Sequence, residues 1–300
     1  MDVSIIIVNY NTSDLLFQCV DSIAKYTHGI SYEIIVVDNG SREENLRSLR
    51  QDTRFHLIEL NDNLGFGRAN NAGANVAKGE YLFLLNPDTI LLNDAITILH
   101  NHIKANPKTG ICGGNLYDSD MVPIHSHDMI KPSILSELDT VFGHFYYKLR
   151  YGKNSWFNHS GKPMAVALIT GADIMIKRQT WDEVAGFDPS FFMYYEDSDL
   201  CTKVTEAGYL IENVPQAEII HLEGKSFHES IVRSERYFTG RSVYFHKHYS
   251  TRYNKIADSL NISSLKMASM LFRLFGKKEK SEMYLQRLNV YKQCINNLNS

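Results

Sequence analysis

FLLNPDT, residues 83–89, carries an apolar run straight into Asn-Pro-Asp. The run YLFLL (81–85) has no polar face. A strand of that kind must be covered on both sides and so belongs to a parallel sheet layered between helices. Pro87 restricts Asn86 to extended geometry and brings no amide proton, so Asp88 is held in a fixed direction at the carboxyl end of the strand. That end is where open α/β sheets bind their ligands. A single carboxylate there can hold a hard divalent cation whose other positions go to substrate phosphates and water. Asn-Pro-Asp is also a common turn, so the tripeptide needs company.

The company lies upstream. SIIIV (4–8), EIIVV (33–37) and FHLIEL (55–60) precede YLFLL with helical patterns between them, which is a βαβ rhythm. Polar residues follow each run: Asn9, Tyr10 and Asn11; Asp38, Asn39 and Gly40; Asn61 to Gly67; Asn86 to Asp88. Turns and helix caps account for any one of these sets. Four successive strand ends argue for a binding rim. In NDNLGFGRANNAG (61–73) the glycines permit close backbone approach, and Arg68 and Asn70 at the start of a helix can face a diphosphate; the plainer alternative leaves Arg68 in solvent. GFGRAN is not GxGxxG and follows the third strand, which excludes a dinucleotide fingerprint.

Further along, Gly110 to Tyr117 reads as a strand, and residues 118–164 form a variable insertion without clean periodicity. GADIMIKR (171–178), a helix near Gln179 to Ala185, the loop GFDPSFF (186–192), a helix from about Tyr195 to Gly208, and strands near Leu210 to Val214 and Ala217 to His221 complete a domain ending near residue 225. YYEDSDL (194–200) sets Glu196, Asp197 and Asp199 in the first turn of that helix, where acids also favour the helix dipole. Glu196 and Asp197 follow an aromatic stretch, and partial desolvation there raises a carboxylate's pKa and makes it a better base. His221 ends a β-rich run and can join Asp88 on a cation, although a lone His is more often structural.

The chain has 300 residues, is 44% hydrophobic and 22% charged, and carries a net charge of −3, as expected for a globular protein. No apolar run approaches the roughly 20 residues needed to span a bilayer, and no basic signal-peptide flank opens the chain, so a cytoplasmic protein is expected. Four cysteines without a CxxC pair suggest reduced thiols rather than a zinc site or disulfide framework. Residues 241–280 hold nine Lys or Arg against Asp258 and Glu279, which leaves a main body too acidic for nucleic-acid binding.

Taken in order, VNYN (8–11), VDNGS (37–41), NLGFGRANNAG, LLNPDT, the GAD segment, GFDPSFFMYYEDSDLC and His221 resemble the inverting family 2 glycosyltransferases, and within them the bacterial rhamnosyltransferases. The resemblance covers residues 3–225. It implies a GT-A fold with a mostly parallel central sheet, a nucleotide-diphospho-sugar donor, and Mg²⁺ or Mn²⁺. Asn86 stands at the first Asp of the family's DxD motif, contributing a hydrogen bond but no charge, and Asp88 at the second, so metal binding leans more on His221. By the same likeness Asp38 contacts the base or ribose, Tyr10 and Asn11 border the nucleoside, Arg68 lies near the phosphates, and Asp197, the second acid of the Glu196-Asp197 pair, is the catalytic base. The favoured donor is dTDP-rhamnose and the acceptor a growing bacterial surface glycan or polyprenol-linked glycan. Galactofuranosyl, glucosyl or N-acetylhexosaminyl transfer from a UDP-sugar, or a catalytically silent nucleotide-sugar-binding subunit, are the alternatives. His125, His127 and Trp156 in the variable region are side chains that an acceptor could touch.

Residues 226–300 read as a helical, basic extension. In SLKMASMLFRLFGKK (264–278), Leu265, Ala268, Leu271, Phe272 and Phe275 share one helical face, with Lys266, Arg273 and Lys277 away from it. Such a helix either lies on an anionic membrane surface, peripheral to the cytoplasmic face, or packs on the catalytic domain or a second copy of the chain.

Overall fold

The computed structural model describes residues 1–222 and 231–299, so the expected domain boundary near residue 225 lies outside the described residues. The first half alternates β1 (Val3–Asn9), α1 (Ser13–Tyr26), β2 (Tyr32–Asn39), α2 (Glu43–Leu49), β3 (His56–Leu60), α3 (Phe66–Val76) and β4 (Tyr81–Leu85). Then come β5 (Thr89–Leu91), α4 (Ala95–Ala105), β6 (Thr109–Tyr117), β7 (His127–Asp128), α5 (Ile134–Val141), α6 (Phe145–Tyr151), β8 (Met164–Ala165) and β9 (Leu168–Ile169). The chain continues through β10 (Asp173–Lys177), α7 (Arg178–Glu183), α8 (Glu196–Glu206), β11 (Leu210–His221), α9 (Ile231–His248), α10 (Thr251–Leu274) and α11 (Lys278–Asn299).

The main sheet has the order β3-β2-β1-β4-β10-β6-β11-β5, with β8 added beside β11. Strands β3, β2, β1 and β4 are mutually parallel, and β11 is parallel to β6. Only β10 and β5 on this path run against their neighbours. Alternation decides the two cores. Val3, Ile5 and Ile7 of β1 pack with α1 and α4, whereas Ile6 and Val8 face α3, Trp181 and α8.

Two strands expected near 210–214 and 217–221 form the single strand β11, whose register to β6 slips between Asn213 and Glu218. Pro215 falls in that slip, where its missing N–H leaves no ladder bond unmade. The region 118–164, which shows no period, contains α5 and α6, helices of 8 and 7 residues that are too short to print one.

Behind the sheet, α9, α10 and α11 pack together around Phe238, Leu265, Leu288 and Tyr291. Arg241 of α9 is fully buried and donates to Glu137 of α5 at 2.8 Å, to Asp258 of α10 at 3.0 Å and to the Tyr291 hydroxyl of α11. One guanidinium thus ties four helices, since a buried cation must be paired to be tolerated. The expected amphipathic face of α10 is divided. Leu265 is buried and Phe272 stacks on Tyr284 with ring centres 5.4 Å apart, while Leu271 and Phe275 stay exposed. Among the described residues no helix is long and apolar enough to cross a membrane.

The loops before α3 and before α8 are zipped together by backbone. Phe66 N–H donates to Phe192 O at 3.0 Å, and a Cβ on Gly65 would come within 2.1 Å of that oxygen. Gly65 and Gly208 share a left-handed φ of 89° and 91°, but a Cβ on Gly208 would meet open space. Gly208→Ala is therefore expected to cost about 1 kcal/mol for its φ alone, and Gly65→Ala at least about 2 kcal/mol more for the displaced carbonyl. Urea unfolding of the two variants checks the difference.

Candidate active site

Topology assembles the site before any side chain is considered. β1, β2, β4 and β11 end at one rim, and because β10 is reversed its beginning, not its end, lies there. β5 starts directly after Asp88 and pairs antiparallel with β11, setting Thr89 opposite His221. That register brings Asp88 Oδ1 to 3.3 Å from His221 Nε2, and Asn86 Nδ2 to 3.3 Å from the same nitrogen. Leu222 N–H closes the corner on Asp88 O at 2.9 Å.

The start of β10 links this corner to the acids. Asn86 N–H donates to Ala172 O at 3.0 Å, and the neighbouring Gly171 N–H donates to Asp197 Oδ2 at 3.1 Å. Two adjacent residues therefore fix the strand exit that carries Asp88 and the carboxylate of Asp197. Asp88 and Asp197 both line one cavity of about 1300 Å³. Carboxylate, imidazole and amide on one edge of it suit a divalent cation that takes its remaining ligands from phosphate and water. Among the described residues no three His, Cys, Asp or Glu gather into a closed metal cage.

Glu196 and Asp197 open α8 after two consecutive left-handed residues, Tyr194 and Tyr195, each with φ 69°. Such strain in bulky residues survives only where the surroundings impose it. Here α9 presses on the turn: a Cβ on Gly240 would meet Tyr194 O at 2.3 Å. Asp197 Oδ1 also accepts from Ser198 N–H at 2.7 Å. Burial raises the pKa of Asp197, with the backbone bonds from Ser198 and Gly171 opposing it and the charge of Asp128 adding to it. Glu196 is pushed up to about 8 by burial and then by the charge of Asp197, and its Oε2 is buried with no hydrogen-bond partner among the described residues. Burial thus favours the neutral form of Glu196, whereas the N–H bonds from Gly171 and Ser198 favour the charged form of Asp197. Asp199 is different. Burial pushes it upward, but hydrogen bonds from His248 at 2.8 Å and Lys247 at 3.0 Å outweigh that and hold it below the ordinary range.

Tyr10, Asn11, Asn86, Asp88, Glu196, Asp197 and His221 all border the cavity. Asp38, Arg68 and Asn70 do not. Asp38 is buried, with Oδ1 accepting from Asn9 Nδ2 at 2.8 Å and Oδ2 from Ser41 N–H at 2.9 Å, so its carboxylate joins the ends of β1 and β2. Arg68 Nε donates to Pro189 O at 2.7 Å, and Asn70 Nδ2 turns back to Phe66 O at 3.0 Å. With Asn71, which exchanges bonds of 2.8 and 3.0 Å with Phe187, Arg68 holds the GFDPSFF loop and hence the approach to the acids. Sequence could name these residue types but not which side of the turn they face.

Other residues line the cavity as well, some within the polar strand ends and some without any sequence signal. Asn39 and Asn63, bonded to each other at 3.0 Å, border the cavity from the polar strand ends, and Asp128 faces the acids from the insertion. Arg233 and Arg236 of α9 and Arg287 of α11 form the far wall. His125 and Trp156 reach the cavity, whereas His127 is buried and bonded to Asn154 O at 3.0 Å.

Residues 4–164 match the family described as Glycosyl transferase family 2. An uncharacterized protein of Sinorhizobium fredii is 28% identical over 256 residues, covering 83% of this chain, which spans only 28% of that protein. The N-acetylglucosaminyl-diphospho-decaprenol L-rhamnosyltransferase of Mycobacterium tuberculosis is 25% identical over 247 residues, covering 75% of this chain and 74% of its own. Among solved structures, a mannosyltransferase of Pyrobaculum calidifontis in complex with GDP-Man and Mn²⁺ superposes over 99% of this chain and 86% of its own, with a TM-score of 0.61 at 17% identity.

The neutral state of Glu196 has a thermodynamic signature. Its pKa lies near 8 folded against 4.5 in a free side chain, so folding takes up a proton between those values and loses stability as pH rises through that window. Glu196→Gln is therefore expected to raise the melting temperature by a few degrees at pH 7 and to leave it unchanged near pH 4, as read by calorimetry at both values.

Proposed function

Because the chain belongs to the family 2 glycosyl transferases and has the GT-A fold, we propose that this glycosyltransferase is an inverting, metal-dependent enzyme that moves L-rhamnose from dTDP-rhamnose to a hydroxyl of a bacterial surface or lipid-linked glycan. One observation carries the reading: Asp88 with His221 and, across the same cavity, Asp197 are held in fixed relation by the Ala172–Gly171 backbone. The mycobacterial relative, named for L-rhamnose and a diphospho-decaprenol, supports the donor and the lipid-linked acceptor. A peripheral position at the cytoplasmic face of a membrane is part of the same proposal.

The chemistry asked of the residues is a single displacement. Asp197 takes the proton from the acceptor hydroxyl while that oxygen bonds to the anomeric carbon and the bond from that carbon to the phosphate oxygen breaks on the opposite side. The electron pair leaves with the nucleoside diphosphate, and configuration inverts. A divalent cation held by Asp88 and His221, with Asn86 beside them, would neutralise the charge that builds on the leaving phosphate. Tyr10, Asn11, Asn39 and Asn63 border the space for the nucleoside. Neutral Glu196 serves as a hydrogen-bond donor rather than a second base.

Asp197→Asn is expected to lower transfer by about 10²–10⁴-fold with donor affinity nearly unchanged, because a base acts chiefly in the transition state. Glu196→Gln should keep most turnover. The acid limb of the rate profile follows Asp197: activity falls as pH drops through its raised pKa, above the usual range for an aspartate. Nucleotide release from dTDP-rhamnose, UDP-galactofuranose, UDP-glucose and UDP-N-acetylglucosamine, with and without EDTA, tests donor and metal together. EDTA-sensitive release of dTDP alone is the expected result. Release of UDP instead reassigns the donor, and no release from any of them favours a silent nucleotide-sugar-binding subunit.

A further inference from the structure

The insertion spanning residues 118–164 carries an exposed apolar surface. Leu135, Leu138 and Phe142 recur at a helical spacing along one side of α5, and Phe145 and Leu149 stand at i, i+4 on α6. Phe142, Phe145 and Leu149 are 70%, 65% and 75% exposed. Clustered apolar exposure of this kind marks an interaction surface.

The exposure is built in. A capping box at Ser133 starts α5, and the hydroxyl of Tyr253 accepts from Ile134 N–H at 2.8 Å. Glu137 is drawn inward by Arg241. The buried Asp139 carboxylate accepts from the N–H groups of Tyr146 at 2.7 Å and Tyr147 at 3.4 Å, capping α6 and locking the turn between the helices. Glu137 and Asp139 are engaged on the inner side of α5 with Ile134, and Leu135 and Leu138 stand on the outer side.

Charge selects the partner. Lys131, Lys148, Arg150 and Lys153 are exposed around these side chains, and the two acids between residues 129 and 157, Glu137 and Asp139, are both turned inward. A second surface of the same character lies at the tip of α10, where Leu274 and Phe275 are 74% and 76% exposed beside Met270 and Leu271, with Arg273, Lys277 and Lys278 around them. Thr140 and His144 from the first element and Ser264 and Ala268 from the second line the same cavity as Asp88 and Asp197. The α5–α6 hairpin and α10, which carry the two apolar surfaces, therefore both border that cavity.

We propose that the α5–α6 hairpin and the α10 tip form a two-point docking surface for an anionic lipid bilayer, setting the cavity against the headgroups so that the acceptor hydroxyl arrives on a lipid-anchored glycan. Apolar side chains enter the interface while Lys and Arg meet the anionic headgroups, the combination by which amphipathic elements lie on membranes. The lipid-anchored acceptor rests on the transferase reading; the bilayer contact does not.

Co-sedimentation of the full chain with vesicles of phosphatidylcholine and phosphatidylglycerol, against phosphatidylcholine alone, tests it. The wild type should bind the anionic vesicles preferentially. Phe142→Asp/Phe145→Asp/Leu149→Asp should weaken binding at least about tenfold, Leu274→Asp/Phe275→Asp should weaken it as well, and Lys148→Glu/Arg150→Glu should remove the preference for anionic lipid. Donor hydrolysis without vesicles should be unchanged in all three variants, which reports an intact fold. Absence of wild-type binding, or full binding by the triple variant, overturns the proposal. So does a wild-type dimer in light scattering that the triple variant makes monomeric, because the surface then belongs to a second copy. Vesicle binding without any donor hydrolysis would sink the transferase reading and leave the surface standing.

Discussion

The site depends on one reversed strand. Because β10 runs against β4 and β6, its first residues rather than its last reach the ligand rim, and Ala172 and Gly171 can bond on one side to Asn86 and on the other to Asp197. A parallel strand in that position would present its carboxyl end and a helix-bound loop instead. The separation between the Asp88–His221 corner and the acid pair is thus set by one backbone–backbone bond and one backbone–carboxylate bond from the turn that enters β10. Side chains on loops would hold it less firmly.

The acid pair shows how the same environment gives two neighbours different roles. Glu196 lies in apolar surroundings with one oxygen unpartnered among the described residues, so its neutral form wins. Asp197, one residue on, accepts backbone N–H groups that favour its charge, although burial still lifts its pKa. The strained Tyr194-Tyr195 turn aims both into the cavity, and α9 braces that turn through Gly240. The C-terminal helices are consequently part of the apparatus that positions the acids.

The fold was legible wherever burial was complete. Strands β1 and β2 carry unbroken apolar runs at 5–8 and 34–37, β4 is apolar from end to end, and none can be mistaken for a surface helix, while Gly208 ends α8 for the reason its left-handed φ supplies. Direction and length were not legible. Arg68 and Asn70 have the chemistry of phosphate ligands, yet their side chains turn to Pro189 and Phe66, a choice made by tertiary packing. Asp38 ends a strand as a ligand-binding acid would, but each of its oxygens already accepts a bond, from Asn9 and from Ser41. β5 is three residues long and leaves no pattern, although its pairing with β11 is what sets His221 beside Asp88. The amphipathic stripe of α10 was visible, but whether α11 would cover it depended on a helix turn that no local rule encodes.

The clamp on Asp199 bears on how this architecture can be recombined. Lys247 and His248 lie in the last turn of α9, and both hydrogen-bond to Asp199, an acid with no exposed surface in α8. Grafting a different tail onto the sheet domain at the junction before Ile231 would take away that two-residue clamp and leave Lys203 of α8, 3.7 Å off, to face the charge. A transplant that keeps α9 through His248 and exchanges only α10 and α11 would preserve it, so the natural seam for interchange between relatives falls a full helix later than the change in composition suggests.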